Sequence, residues 1–269
     1  MMNFLDYLKN IRQYGKRAFT LEQVIADLNL SKNAALVAIH RLKEHGDIMS
    51  PAQGFYVIVP PEDQFQGSIP AQELVPLLMD HLKIDYYVSL LSGAQYHGAS
   101  HQKPGSFQII VNRRIKHPLE FRQVKIEAIY KKSFENILTQ NVTVNTGYLK
   151  IATAELVVFD LLTYRNQSGG LNHIATVLSE LVEVIDVIKL LELAQTVKST
   201  AWLQRLGYIL EQIDPMDVEK TQKIIKTLEH YLESKMSGFI PLASELPKAG
   251  YPRIKKWKII VNTTVESDL

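Results

Sequence analysis

Apolar residues in the first fifty positions recur at helical spacing in two short segments. Between Leu21 and Leu28 they fall every three to four residues, which predicts a helix with one apolar face. A second helix is predicted to start after Ser31 and to end near Gly46, with Thr20 and Ser31 as N-caps. The apolar stripe of this second helix consists of Ala35, Ala38, Ile39 and Leu42. Only Asn29, Leu30 and the N-cap Ser31 separate the two helices, and this spacing is typical of a helix-turn-helix.

A predicted hairpin follows the second helix. Residues 47–49 can pair with residues 55–59 across a turn that contains Pro51 and Gly54. Two helices, a short turn and a hairpin together predict a winged helix-turn-helix over residues 1–60. We interpret this segment as a domain that binds duplex DNA. A module that binds another protein is the alternative, since winged helices also serve that purpose.

The second helix leaves a set of side chains outside its apolar stripe. These candidate DNA-contacting residues are Lys32, Asn33, Leu36, Val37, His40, Arg41 and Lys43, with Gln53 at the tip of the hairpin. The major groove admits one α-helix, whose first turns reach the base edges. Lys32 suits guanine or phosphate, and Asn33 suits adenine. Leu36 and Val37 fit either a thymine methyl group or a contact with another helix or subunit.

Residues 61–70 are rich in proline and predict an extended linker. The remaining segment, 71–269, is predicted to be β-rich over 105–151 and helical over 153–232, so the fold class is α+β. Helices are predicted at 73–82, 86–96, 153–164, 171–181, 186–196, 200–212 and 217–232. Strands are predicted at 107–111, 124–130 and 257–261, and a hairpin is predicted from 142–144 and 148–151.

Charge is distributed unevenly along the 269 residues, although the net charge is only +2. The first 62 residues contain nearly equal numbers of basic and acidic side chains, so this segment alone offers little attraction to phosphate. Basic residues cluster instead at 103–132, which includes Arg113 and Arg114, and at 248–258. These clusters predict an auxiliary phosphate-binding surface. A solvated strand face and tail is the alternative interpretation.

The chain has no cysteine, which excludes disulfides and cysteine-ligated zinc. Neither a signal peptide nor an apolar run long enough for a membrane span is found, so we expect a cytoplasmic protein that has no membrane partner.

Motifs for catalysis, metal binding and cofactor binding are missing, and we predict no enzyme activity, no metal and no cofactor. His97 and His101 have a helical ligand spacing, but no glutamate stands beside them as a general base. The acids Glu127, Glu155 and Asp160 do not form a metal-binding pattern. A nucleic-acid-processing enzyme targeted by the winged helix remains an alternative, and a protein-interaction adaptor is a third.

Several short motifs, taken in order, resemble one family. They are the Gly54–Val57 end of the hairpin, Tyr86–Ala94 running into His97-Gly98 and Gln102–Pro104, Lys150–Glu155 with its apolar helix, Gly169–Leu171, and Gln204–Glu211. Together they resemble the AbiEi-type antitoxins, which are transcriptional regulators of bacterial type IV toxin–antitoxin systems.

The resemblance implies a protein with two functions. Its winged helix would bind inverted repeats in its own promoter and repress the operon. Its C-terminal domain would counter a nucleotidyltransferase-like toxin in a phage-defence system, without necessarily forming a stable complex with that toxin. The resemblance implies DNA-binding roles for a few residues. They are Lys32, Asn33, Val37 and Arg41 of the second helix and the basic strand residues Arg113 and Arg114. The apolar Leu36 and Val37 depart from the face expected of a DNA reader.

Overall fold

A computed structural model describes residues 4–99, 104–135 and 137–266 of the chain. Within these residues the fold is mixed α+β, as the sequence predicted. The helices are α1 (Phe4–Gln13), α2 (Leu21–Leu28), α3 (Lys32–His45), α4 (Ala71–Leu82), α5 (Leu90–Tyr96), α6 (Ala154–Thr163), α7 (Gly170–Leu181), α8 (Val187–Val197), α9 (Ala201–Leu210) and α10 (Val218–Glu233).

The strands form three sheets among the described residues. They are β1 (Ala18–Thr20), β2 (Ile48–Ala52), β3 (Phe55–Ile58), β4 (Tyr86–Val88), β5 (Phe107–Val111), β6 (Leu119–Phe121), β7 (Val124–Tyr130), β8 (Thr139–Val144), β9 (Gly147–Ala152), β10 (Ile240–Pro241), β11 (Arg253–Ile254) and β12 (Ile259–Ile260). The sheet orders are β1-β3-β2, β6-β7-β5-β4-β9-β8 and β10-β12-β11.

The chain divides into two compact units. Unit 1 contains the described residues of Met1–Tyr87, Gly105–Phe134 and Asn141–Lys150, and unit 2 contains the others. The extended conformation predicted for 61–70 is wrong: the segment opens with a 3₁₀ turn at Pro61–Asp63 and continues as a turn to Gly67. It lies inside unit 1, and its Ser68 and Ile69 are buried. The division into a DNA-binding domain that ends at residue 60 and a C-terminal domain that begins at residue 71 stays a prediction.

Unit 1 has a hydrophobic core at its N-terminal end, to which helices and strands both contribute. Tyr7 of α1, Phe19 of β1 and Tyr56 of β3 meet in this core, and Phe19 stacks on Tyr56 with ring centroids 5.5 Å apart. Such aromatic pairs add about 0.5–1.5 kcal/mol beyond the area they bury. Val24 of α2 and Ile39 of α3 join the same core, so the apolar stripes predicted for both helices face it.

The large sheet combines two directions of pairing. β5 and β7 are parallel, with Phe107 opposite Ile126 and Val111 opposite Tyr130, whereas β6 pairs antiparallel with β7. Ile109, Ile110 and Val111 are fully buried, as expected for strands covered on both faces.

Unit 2 is built around α6. Every residue from Ala154 to Leu162 is buried, and α5, α7, α8 and α9 pack against this helix. A helix whose residues are buried on all sides and mostly apolar needs such surroundings, because no face of it suits water. The five helices predicted after residue 152 are confirmed, with ends shifted by at most a few residues.

Two predicted elements were wrong. Residues 86–96 were predicted as one helix, but Tyr86–Val88 forms β4 and only Leu90–Tyr96 is helical. Aromatic and β-branched residues favour strands, and the buried position of Tyr86–Val88 in the large sheet overrides the helical spacing. The predicted strand 257–261 is reduced to Ile259–Ile260, because the chain turns just before it, with Lys258 in the left-handed region at φ 46°.

Candidate nucleic-acid interface

Side-chain caps and left-handed residues fix the ends of α2 and α3. Thr20 accepts a hydrogen bond from the Gln23 N–H at 3.3 Å, and Gln23 Oε1 accepts one from the Thr20 N–H at 2.8 Å. Asn29 ends α2 at φ 51°, Ser31 caps α3 at the Ala34 N–H, and Gly46 ends α3 at φ 81°. The residues predicted to start and stop these helices do so, which sets the angle at which α3 leaves the turn.

α3 presents the predicted residues to solvent. Ala35, Ile39 and Leu42 are buried and Ala38 is half-buried, so the opposite side of the helix is free of core contacts. The exposed residues are Lys32, Asn33, Leu36, Val37, His40, Arg41 and Lys43. Leu36 is 40% exposed and Val37 53% exposed. The structure thus brings all seven candidates of this helix to its solvent side, and their DNA-contacting role remains a prediction.

The hairpin next to α3 is made by β2 and β3. Ile48 pairs with Ile58 and Met49 with Val57, and an irregularity follows before Ala52 pairs with Phe55. Gln53 lies exposed in the turn beside Gly54, whose φ is 70°. The sequence reading missed β1, which pairs antiparallel with β3 and makes the hairpin part of a three-stranded sheet. A three-residue strand is too short to show a period of two.

One acid at the start of α2 stays charged close to the exposed cations. Hydrogen bonds from its own backbone and from Thr20 lower the pKa of Glu22, and electrostatic interactions with His81 and Lys32 lower it further. Glu22 therefore repels phosphate at the same end of the helix pair where Lys32 attracts it. Net attraction to DNA depends on further cations.

Arg113 and Arg114 follow β5 in unit 1 and are both exposed. The Arg113 guanidinium donates to the Leu82 carbonyl at 2.6 Å, and the Arg114 guanidinium lies 5.2 Å from the centre of the Tyr130 ring. Both side chains are thus partly held in place while their charges face solvent. This placement suits phosphate contact, because less side-chain freedom is lost on binding.

The second basic cluster, 248–258 in unit 2, is less available than the sequence indicates. Lys256 forms ion pairs with Glu211 at 2.6 Å and with Glu229 at 3.1 Å. Lys258 donates to the Met236 carbonyl at 2.6 Å. Both charges are therefore used to hold the C-terminal segment. Arg113 and Arg114 are the more available of the predicted phosphate-binding residues, and the auxiliary surface stays a prediction.

Residues of the motif Tyr86–Gly98 have structural contacts in unit 2. Ser89 donates to the buried carboxyl group of Asp160 at 2.9 Å, which gives this polar group a partner inside a largely apolar helix. Gly93 lets α5 approach α6, because a Cβ there would lie 3.0 Å from Val157. His97 Nε2 lies 2.7 Å from the Ala152 carbonyl oxygen. His101 lies outside the described residues.

The motif Gln204–Glu211 holds the C-terminal segment against α9. Gln204 donates to the Trp257 carbonyl at 3.0 Å, and Arg205 donates to the carbonyls of Pro241 and Leu242 at 3.0–3.2 Å. Gly207 of α9 lies directly against the Trp257 ring, in a space that a Cβ would fill. This role was missed in the sequence, although a glycine inside an apolar helix is a signal of close approach.

Three acids considered as possible metal or catalytic groups lie in different places. Glu127 accepts from Ser106 and Gln108, and Glu155 accepts from the Asp186 N–H at 2.8 Å. Asp160 is the Ser89 acceptor described above. Among the described residues, no group of three or more His, Asp or Glu side chains is placed to hold a metal ion. In the same residues, no helix is both long and apolar enough to cross a bilayer.

A mixed α+β chain with a helical second unit is the class that these observations define. Residues 87–212 match the AbiEi antitoxin C-terminal domain family, and the resemblance predicted from the motifs is confirmed over this segment. The match supports an antitoxin role, and the matched family is not one of enzymes. It spans α5 to α9, whose contacts account for the motif residues described above.

A solved structure shows the same general fold. The crystal structure of the RV2827C protein from Mycobacterium tuberculosis has 15% sequence identity and a TM-score of 0.63, and covers 94% of this chain and 89% of that chain. An antigenic nucleotidyltransferase-like protein from Paracoccidioides brasiliensis has 10% identity and a TM-score of only 0.35, with 61% of this chain and 88% of that chain covered. The first similarity concerns the fold alone, and the second is too low to indicate a shared fold. No curated protein sequence is significantly similar to the chain.

Proposed function

We propose that the chain is a cytoplasmic, DNA-binding autorepressor and antitoxin of a type IV toxin–antitoxin system, active in phage defence. It binds inverted repeats in its own promoter through α3 and counters a nucleotidyltransferase-like toxin. The observation that carries the repressor part is the solvent-facing set on α3, flanked by a hairpin. The family match over residues 87–212 supports the antitoxin part.

In this proposal α3 enters the major groove. Lys32 and Asn33 stand in its first turn, where base edges are within reach, while Arg41 and Lys43 stand further along, where the phosphates lie. Leu36 and Val37 contact thymine methyl groups between them. The hairpin carries Gln53 toward the neighbouring backbone.

Fluorescence anisotropy with the native upstream duplex tests the repressor function. The Arg41→Gln/Lys43→Gln variant removes the two exposed cations of α3 that stand where the phosphates lie. Each phosphate neutralised adds about −0.9 to the slope of log affinity against log salt, so the slope should become shallower by about 1.8. The control, Lys189→Gln/Lys226→Gln, removes the same charge from exposed sites on α8 and α10 and should leave the slope unchanged. A folded protein without salt-sensitive binding to this duplex would refute the repressor function.

The auxiliary surface has a test of its own. Changing Arg113 and Arg114 to Glu should weaken binding to operator and unrelated duplexes by the same factor, because phosphate contacts do not depend on sequence. Unchanged affinity would remove these two residues from the DNA surface.

The antitoxin function is tested by growth. Co-expression of the full chain should rescue cells that express the nucleotidyltransferase encoded by the neighbouring gene. The Arg41→Gln/Lys43→Gln variant should still rescue them, because the antitoxin part rests on residues 87–212. Failure of the unaltered chain to rescue growth would refute this part of the proposal.

A further inference from the structure

A cavity of about 580 Å³ opens in unit 1 between the start of the three-stranded sheet and the end of α4. β1 with the residues before it lines one side, α4 lines another, and Thr146 of the β8–β9 turn also contributes to the lining. Small-molecule sites in proteins fall between about 300 and 1,000 Å³, so this cavity has the size of one.

The cavity combines an aromatic part with a cationic part. Phe19 and Phe55 are buried, and the Phe55 ring stacks on the half-buried His81 ring with centroids 4.2 Å apart and an 11° angle between the planes. Pro76 and Leu77 add apolar surface from α4. A planar group of a ligand would find aromatic and apolar neighbours here.

Three cations line the same cavity: Lys16, Arg17 and Lys83. Among the described residues, neither Lys16 nor Arg17 is held in an ion pair. Lys83 pairs with Asp80 at 3.3 Å, but both side chains are about four-fifths exposed, and a surface pair of this kind is weak and easily exchanged. The lining therefore has an excess of positive charge.

We propose that this cavity binds a small phosphorylated molecule of mononucleotide size. The phosphate lies at Lys16, Arg17 and Lys83, and the planar part lies against Phe55 and His81. Concave shape and an aromatic lining distinguish the site from the exposed cations of α3, which suit a long backbone rather than a small ligand. The site does not depend on the repressor function.

Calorimetric titration of the full chain, without DNA, tests the proposal. The probes are AMP, adenosine and inorganic phosphate. AMP should bind saturably, and each of the other two should bind at least about tenfold more weakly, since each lacks one half of the recognised chemistry. Equal affinity for AMP and either partial probe, or no saturation by AMP at millimolar concentration, would overturn the proposal.

Two variants place the binding in this cavity. Lys16→Gln/Arg17→Gln should weaken AMP binding by about tenfold or more, and Lys83→Gln should weaken it independently. Lys9→Gln/Arg12→Gln, which changes two exposed cations of α1 outside the cavity, should have no effect. If the cavity variants weaken duplex DNA binding while AMP fails to saturate, these cations serve a DNA backbone and the small-ligand site is refuted.

Discussion

Gly207 is the position at which a single added methyl group should be most damaging. A Cβ there would lie 2.3 Å from Cζ3 of Trp257 and 2.5 Å from Cε3 and Cη2 of the same ring. Ordinary carbon contacts are about 3.5–4.0 Å, so the ring would have to recede by more than about 1 Å. It cannot do so freely, because it is fully buried and its Nε1 donates to Glu211 at 2.7 Å.

The size of the effect follows from two opposing terms. Overpacking a filled core costs about 1–3 kcal/mol, and the fixed ring places Gly207→Ala at the upper end. Alanine gains about 1 kcal/mol over glycine in a helix. We therefore expect the free energy of unfolding of unit 2 to fall by about 2 kcal/mol. Without the close contact the same change would stabilise the helix.

Urea unfolding followed by tryptophan fluorescence measures this quantity, since Trp202 and Trp257 are the two tryptophans of the chain and both lie in unit 2. Combining Gly207→Ala with Trp257→Leu should recover part of the loss, which a double-mutant cycle reads as coupling. The control is Gly238→Ala, where nothing lies within 4 Å of the added Cβ. A Gly207→Ala protein as stable as the unaltered chain would refute the reasoning.

Two further predictions concern stability. Asp186 accepts hydrogen bonds from the Ile188 and Lys189 N–H groups at the start of α8, so Asp186→Ala should lower the free energy of unfolding by about 1 kcal/mol in urea titrations. The control Asp214→Ala removes an exposed acid from a loop and should leave the free energy of unfolding unchanged. Equal effects of the two substitutions would contradict the capping role of Asp186. Burial raises the pKa of Tyr86 from 10.0 to about 12, so the stability that its neutral phenol contributes is complete below pH 10 and is lost as the pH rises through 12. The free energy of unfolding, measured by circular dichroism, should fall by about 2–3 kcal/mol over this pH range through Tyr86. Tyr86→Phe should remove this part of the alkaline destabilisation. An alkaline destabilisation that is unchanged in Tyr86→Phe would contradict its assignment to Tyr86.

Local signals predicted the N-terminal helices well. Thr20, Ser31 and Gly46 act at the helix ends because caps and left-handed glycines are decided by neighbouring backbone groups. The solvent-facing residues of α3 could be predicted for the same reason, since the apolar stripe alone fixes which side is buried.

Elements decided by distant contacts could not be predicted. The short apolar run Tyr86–Val88 fits a strand or a helix, and the neighbouring strands of the large sheet settle the choice. The cavity beside α4 was also out of reach, because Lys16 and Lys83 are far apart in sequence and only the packing of unit 1 brings them together.

The segment that matches the domain family ends before the part of the chain that it needs for stable folding. The matched segment ends at residue 212, whereas Trp257, which fills the space beside Gly207, comes 45 residues later. A fragment cut at the end of the matched segment would expose the apolar face of α9 that this ring covers. Such a fragment should aggregate when expressed, so functional dissection of the antitoxin part needs the residues through the last small sheet.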